Sequence, residues 1–138
     1  MRRTEQRRAA IWALYQADLL DLPVADTFPR DVHAFTRSLA VEVSEHQPEL
    51  DGVIERHATG WSLGRIAPLE RSILRVALLE MLHPDAVPGD TPIPAEGAID
   101  EAVQTAKEFC GAEAPGFVNG ILAAALREHR DSAPTTEA

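Results

Sequence analysis

Apolar residues recur along most of this chain at spacings of three and four positions, which is the pattern of amphipathic α-helices. No stretch alternates convincingly between apolar and polar residues over the length of a strand. The sequence therefore predicts an all-α fold. The predicted helices are, approximately, Thr4–Leu22, Asp31–His46, Pro48–Gly60, Pro68–Leu82, Pro94–Cys110 and Pro115–Arg130.

The apolar faces of these helices predict which of them lie at the centre. The fourth helix is apolar almost all the way round, which is typical of a central helix. The fifth has a clean inner face that ends with Phe109 and Cys110. The first is expected to be capped by Thr4, and Arg7 and Arg8 lie near an extension of its inner face. That predicted face consists of Ile11, Trp12, Leu14, Tyr15, Leu19 and Leu22.

Composition narrows the class of protein. The chain has 138 residues, of which 45% are apolar and 25% charged, as in ordinary globular domains. We expect one domain at 1–130 and a flexible polar tail at 131–138. The sequence contains no apolar run long enough to cross a membrane and no apolar signal-peptide region after the first arginines. Cys110 is the single cysteine, so no intramolecular disulfide can form. These features predict a cytoplasmic protein.

The net charge and the distribution of charge along the chain lead to different conclusions about nucleic-acid binding. A net charge of −9 argues, as a bulk number, against binding to nucleic acid. However, four of the 13 basic residues lie in the first eight positions, where only Glu5 opposes them. A local basic patch on an acidic body can bind phosphate while the body repels it elsewhere. The clustered residues are Arg2, Arg3, Arg7 and Arg8.

Motifs for catalysis are not found in the sequence. The five histidines are scattered, and there is no nucleophile elbow or phosphate-binding loop. Asp100 and Glu101 are interpreted as a solvated helix face, and Cys110 as a small core residue. We therefore expect no enzymatic activity, no metal site and no cofactor.

Two aromatic residues and one helix remain as candidates for binding. Tyr15 and Phe117 can stack on unpaired bases if they are exposed, and the alternative for each is core packing. Asn119 and Gly120 are poor choices inside the last helix, which indicates either close packing or binding there. We expect Gly120 to let a neighbouring helix approach closely and Asn119 to orient local backbone.

Three segments of the chain resemble the NusB family of transcription antitermination factors. The opening segment has the arginines and an Ala-Leu-Tyr sequence that ends at Tyr15, and the order and spacing of all three segments agree with the family from Arg2 to about Arg127. The other matching residues are Trp61, Leu63, Arg65, Leu69-Glu70-Arg71-Ser72-Ile73-Leu74-Arg75-Val76-Ala77, Glu80, Ala98-Ile99-Asp100-Glu101-Ala102, Ala106-Lys107 and Phe117-Val118-Asn119-Gly120-Ile121-Leu122.

The resemblance implies a compact bundle of about six to seven helices in two packed sub-bundles. It also implies a non-enzymatic factor that binds boxA RNA together with the ribosomal protein NusE and helps to assemble an antitermination complex on RNA polymerase during ribosomal RNA transcription. Tyr15 and Glu70 match positions near the surface that NusE and RNA share in the family. The residues expected to bind RNA, from the resemblance and the basic cluster together, are Arg2, Arg3, Arg7, Arg8, Lys107 and Phe117.

The chain departs from the family pattern at several positions. Gly116 stands where the family often has a basic residue, which predicts weaker RNA contact beside Phe117, and Arg8 stands where an acid is common and partly compensates. Asp100 replaces the usual asparagine. The short connector predicts that one family helix is absent or reduced to a turn at 24–30.

Two other functions stay open at this point. The chain resembles the RNA-holding front part of ribosomal RNA cytosine methyltransferases, although no S-adenosylmethionine-binding region is found in it. Alternatively, it forms a homodimer that masks its RNA-binding face.

Overall fold

The computed structural model describes residues 2–87, 89 and 92–132. The described residues form six α-helices, three short 3-10 helices and no strand, which confirms the predicted all-α fold. The α-helices are α1 (Arg3–Leu20), α2 (Ala34–Glu45), α3 (Gln47–His57), α4 (Pro68–Leu82), α5 (Ala95–Phe109) and α6 (Ala114–Asp131).

The 3-10 helices lie in the connections, at Val24–Thr27, Leu63–Arg65 and Pro84–Ala86. The first of these occupies the connector in which we expected a family helix to be reduced to a turn. Of the predicted tail, residues 133–138 lie outside the described part of the chain, and Asp131 still belongs to α6. The single domain at 1–130 stays a prediction.

Helix α4 lies at the centre, as its apolar circumference predicted. Every residue from Ser72 to Met81 is buried, and α4 contacts each of the other five helices. Helices α1 and α2 pack together on it, as do α5 and α6, while α3 packs against both α4 and α6. Pro68 in the first turn and Pro84 beyond the last turn bound α4, because proline fits a helix start but cannot continue a helix.

The predicted inner face of α1 is wrong in part. Ile11 and Leu14 are buried, but Trp12 is 40% exposed, Leu19 54% and Leu22 43%, and Tyr15 is half-buried. The helix has apolar residues on two faces. The buried face also carries Ala10 and Ala13, whose small side chains permit close packing.

Other details of the predicted helices also differ. Thr4 does not cap α1 as expected: the cap position is Arg2, which makes no side-chain hydrogen bond to the helix start. The Thr4 hydroxyl donates a hydrogen bond of 2.8 Å to the Glu101 carboxylate. Phe109, expected on the inner face of α5, is 45% exposed. No helix in the described part of the chain is both long enough and apolar enough to span a membrane.

Gly120 does not make the close helix contact that we expected. It is exposed in the middle of α6, and a methyl group added there would meet no atom within 4 Å outside its own turn of helix. Asn119 beside it is exposed as well. The poor helix propensity of this pair is therefore not explained by packing within the chain.

We expect Gly120→Ala to stabilise the protein by about 0.5–1 kcal/mol, because alanine restricts the unfolded chain and no atom obstructs its methyl group. Urea denaturation followed by circular dichroism measures this change. Gly60→Ala is the matched control and should destabilise, since Gly60 has a φ of +80°. A loss of stability in Gly120→Ala would show that a neighbouring helix does approach closely.

Candidate nucleic-acid interface

The four N-terminal arginines do not form one patch. Arg2 is exposed and lies 3.5 Å from Glu5, whereas the Arg3 guanidinium lies 4.0 Å from the centre of the Phe35 ring. Arg7 points into the protein and Arg8 points towards α5. Helical geometry explains this division, since positions 3 and 7 share a face and position 8 is turned by about 100°.

Arg7 is held in a buried ion-pair network. Its Nε and Nη2 donate hydrogen bonds of 2.7 and 3.0 Å to the two carboxylate oxygens of Glu80, and its Nη1 donates one of 2.8 Å to Glu101. Burial alone disfavours the charged guanidinium, but these hydrogen bonds and charges raise the pKa of Arg7 above its ordinary value. Since Arg7 is only 7% exposed, its guanidinium is not placed to contact a phosphate, contrary to expectation.

Glu101 is part of the same network and is not the solvated acid that we expected. One of its oxygens accepts hydrogen bonds from both Thr4 and Arg7. Together, Glu80 from α4 and Glu101 from α5 fix the first turns of α1 against the centre of the fold. Asp100, its neighbour, is exposed as predicted.

A stripe of exposed and half-buried residues runs along the other face of α1. Arg8, Trp12, Tyr15 and Leu19 follow one another at spacings of three and four, and we call them the Arg8 stripe. Arg8 pairs with Glu108 at the end of α5, and its hydrogen bond lowers the pKa of that carboxyl. The stripe therefore combines a cation with aromatic rings.

Phe109 of α5 joins the aromatic part of the Arg8 stripe. The Arg8 guanidinium lies 5.5 Å from the centre of the Phe109 ring. Trp12 makes edge-to-face contacts with both Phe109 and Tyr15, with ring centres 5.4 and 5.8 Å apart. Lys107 is exposed in the last turn of the same helix α5.

A second feature, which we call the Phe117 groove, lies where the segment before α4 meets the start of α6. Trp61 and Phe117 pack edge to face with ring centres 6.3 Å apart, and Trp61 is 51% exposed. Glu70 and Arg65 line the same groove, which has a volume of about 390 Å³. Partial burial raises the pKa of the Glu70 carboxyl. Phe117 is half-buried, with the exposed Gly116 beside it.

Arg71 fixes the wall of the Phe117 groove. Its Nη1 donates hydrogen bonds to the backbone carbonyls of Leu63 and Ile66, at 3.3 and 3.1 Å. Its Nη2 donates one of 2.9 Å to Asp18 of α1. One side chain thereby holds the segment that carries Trp61 against both α4 and α1.

The end of α5 connects the Arg8 stripe with the Phe117 groove. Cys110 follows Phe109 directly, and its thiol pKa is raised by burial and by the negative charge of Glu70. The structure thus places Arg8, Tyr15, Lys107, Glu70 and Phe117 around one end of α5. Arg3 belongs to the opposite flank of α1, against Phe35 of α2. Arg2 is exposed beside Glu5, and Arg7 lies beneath the surface.

Three aromatic residues of this region were not predicted as site residues, namely Trp12, Phe109 and Trp61. Trp12 gave a signal in the sequence, because it lies four positions after Arg8 and three before Tyr15. The exposure of Phe109 and Trp61 depends on contacts between distant segments, which the sequence pattern does not contain.

Two histidines that we described as scattered meet in the structure. The rings of His46 and His83 lie 4.4 Å apart, with Glu49 hydrogen-bonded to His83. They come together because the end of α2 and the end of α4 reach the same corner of the fold.

Comparison with known proteins identifies the family. The model of the NusB family matches residues 4–127. The chain belongs to the NusB family. The transcription antitermination protein NusB of Thermobifida fusca is 36% identical to it over 127 residues, covering 87% of this chain and 85% of the relative. The NusB of Bacillus velezensis is 38% identical over 127 residues, covering 88% and 93%.

Solved structures of the NusB family share the fold. NusB of T. maritima superposes with a TM-score of 0.79 at 28% identity, covering 94% of this chain and 93% of that one. The solution structure of Aquifex aeolicus NusB gives 0.73 at 25%, covering 100% and 97%. A NusB chain in a complex with NusE and double-stranded RNA gives 0.74 at 24%, covering 93% and 99%, a likeness that concerns the fold.

We expect Arg7→Ala to destabilise the protein by about 3–5 kcal/mol, because it leaves the buried Glu80 carboxylate without its partner. Urea denaturation at neutral pH measures the loss. Arg56→Ala removes an exposed arginine that pairs with Glu128 and should change stability little. If the two variants were equally stable, Arg7 would have to be solvated in solution.

Cys110 reports on the charge of Glu70. Because that charge raises the thiol pKa, Glu70→Gln should lower the pKa, increase the thiolate fraction and speed alkylation of the single cysteine at a fixed pH near 8. Iodoacetamide labelling followed by mass spectrometry gives the rate. Glu113→Gln, an exposed acid of the same groove, should leave the rate unchanged. Equal rates in Glu70→Gln and the wild-type protein would place the Glu70 carboxylate away from the thiol.

Proposed function

We propose that this chain is a non-enzymatic antitermination factor. In this proposal it binds a boxA-like single-stranded RNA together with the ribosomal protein NusE, and the assembly acts on RNA polymerase during ribosomal RNA transcription. Family membership supports the proposal, since similar relatives are named transcription antitermination proteins. A chain of the same fold is known in a complex with NusE and double-stranded RNA.

The observation that carries the proposal is the Arg8 stripe with its neighbour Phe109. Single-stranded nucleic acid is bound by cations that contact phosphates and by aromatic rings on which bases stack. Arg8 provides a cation within 5.5 Å of the Phe109 ring, and Trp12 and Tyr15 continue the row of rings. Lys107 supplies a second cation, which is exposed, in the last turn of α5.

The Phe117 groove is proposed as the other part of the RNA-binding surface. Phe117 and Trp61 expose part of their rings there, and Gly116 adds no side chain that would cover them. Arg2 at the start of α1, and Arg3 on the flank that faces α2, contact more distant phosphates. Arg7 is proposed as a positioning residue that holds α1, and not as a contact.

Tyr15 and Glu70 are proposed as the residues that bind the protein partner. Both lie near the end of α5, Tyr15 in the Arg8 stripe and Glu70 in the Phe117 groove. The partly buried Glu70 carboxylate is a hydrogen-bond acceptor in the groove, and the apolar side chains of Leu19 and Leu20 are exposed beside Tyr15. A partner that covers this region would therefore bury apolar area next to the RNA.

We expect Arg8→Ala to weaken binding of boxA RNA and to reduce the salt dependence of the affinity by about one phosphate contact. Fluorescence anisotropy with a labelled boxA strand at several salt concentrations measures both. Arg56→Ala is the matched control, because Arg56 also pairs with a helical glutamate but lies outside the proposed surface. Phe117→Leu should weaken binding by about 1–3 kcal/mol through lost stacking.

The same titration in the presence of purified NusE distinguishes residues that contact RNA from residues that contact NusE. Tyr15→Ala and Glu70→Gln should reduce the enhancement of RNA binding by NusE more than they reduce binding of RNA alone. Light scattering of the protein without RNA tests for a homodimer that covers the Arg8 stripe. RNA affinity and salt dependence that are the same in Arg8→Ala, Phe117→Leu and the wild-type protein would contradict the proposed RNA surface.

A further inference from the structure

Three side chains able to bind a metal ion converge at one corner of the fold, outside the surface described above. His46 lies between α2 and α3, Glu49 in the first turn of α3, and His83 directly after α4. One potential ligand atom from each lies within 4.8 Å of the others. Nε2 of His83 is 2.8 and 3.1 Å from the two Glu49 oxygens.

We propose that His46, Glu49 and His83 form a site for one divalent transition-metal ion of the Zn²⁺ type. Two imidazoles and one carboxylate are a donor set that zinc and its neighbours prefer, whereas Mg²⁺ prefers oxygen ligands alone. Ligands about 2.0–2.2 Å from zinc lie about 3.4 Å apart in a tetrahedron. The observed spacing therefore requires only side-chain adjustments of about 1 Å.

The hydrogen bonding of one ring nitrogen of His46 leaves the other nitrogen available as a ligand. Its Nδ1 lies 2.8 Å from the backbone carbonyl oxygen of Glu42, and the Glu42 carboxylate is 3.7 Å away. A ligating histidine usually donates its second ring N–H to such a carbonyl, which fixes the tautomer and the ring. With the proton on Nδ1, the lone pair of Nε2 is free to bind metal.

The backbone beneath the site is fixed at both histidines. The amide of His46 donates to the carbonyl of Glu42 at 3.0 Å, and that of His83 to the carbonyl of Leu79 at 2.8 Å. The ligands belong to three segments that separate when the chain unfolds, so a bound ion stabilises the folded state. The side chains of Glu49 and His83 are 50% and 31% exposed, which leaves access for the ion and room for a water ligand.

Metal binding replaces one hydrogen bond. In the absence of metal, the Nε2–H of His83 donates a hydrogen bond to the Glu49 carboxylate. When the ion binds, that hydrogen moves to Nδ1 of the neutral imidazole, and both the nitrogen and the carboxylate oxygen donate their lone pairs to the metal. No residue of the site belongs to the Arg8 stripe or the Phe117 groove, so the proposal is independent of the function proposed above.

The test is calorimetric titration of the full chain, without an affinity tag, with ZnCl₂. We expect one ion per chain, and a rise in the midpoint of thermal unfolding when zinc is added. MgCl₂ should give neither effect. Removing a group that only supports a ligand lowers metal affinity about 10–100-fold, so His83→Ala should lower it by about 100-fold or more.

A second ligand variant, Glu49→Gln, and a control variant, His129→Ala, are titrated in the same way. Glu49 is exposed, so Glu49→Gln should fold normally, verified by circular dichroism, and should bind zinc at least about tenfold more weakly. His129 is an exposed histidine of α6, and its replacement should leave affinity and stoichiometry unchanged. The proposal is overturned if the wild-type protein does not bind zinc, or if His83→Ala and Glu49→Gln bind it as the wild type does.

Discussion

Two charged residues lie inside the most buried helix of the protein, and the placement of the surrounding helices depends on the partners that these charges need. Arg75 donates hydrogen bonds of 2.7 and 3.1 Å to Asp51 of α3. Glu80, one and a half turns later, receives Arg7 of α1. A buried charge without its partner costs several kcal/mol. Each pair therefore fixes both the position and the rotation of the helix that supplies the partner.

The Arg7–Glu80 pair sets the rotation of α1 and thereby determines which α1 side chains reach the surface. With Arg7 held by Glu80 and Glu101, the next residue must point sideways towards α5, and the positions four and seven further along follow it. This is why Trp12 is exposed beside Phe109, with the half-buried Tyr15 next to it. Arg71 has a comparable effect on the segment before α4, because its contacts with Leu63 and Ile66 place Trp61 against Phe117. Both groups of aromatic residues thus depend on arginines below the surface.

The sequence was sufficient to predict the helices because their signals are local. Apolar spacing and proline positions gave α4 its observed bounds, and the ends of the other helices within a few residues. The inner face of α1 was predicted only in part, because α1 carries apolar residues on two faces: Ile11 and Leu14 are buried, whereas Trp12 and Leu19 are exposed. Contacts between distant segments gave no local signal at all. Arg7 and Glu80 are 73 positions apart, and neither the burial of Arg7 nor the meeting of His46 with His83 can be derived from spacing.

Three of the four N-terminal arginines already have a carboxylate partner, so this end of the chain is not a patch of unpaired positive charge. If RNA binds at Arg8 as proposed, its phosphate does not add to an unoccupied cation but takes the place of Glu108, which returns to water. Binding there is an anion exchange, in which the chain itself supplies the competitor. An anion of low charge density would gain little free energy from this exchange. A nucleotide would gain more, because its phosphate contacts Arg8 while its base stacks on the neighbouring rings. In the proposed function, the surface would therefore select among anions and would not simply accumulate them.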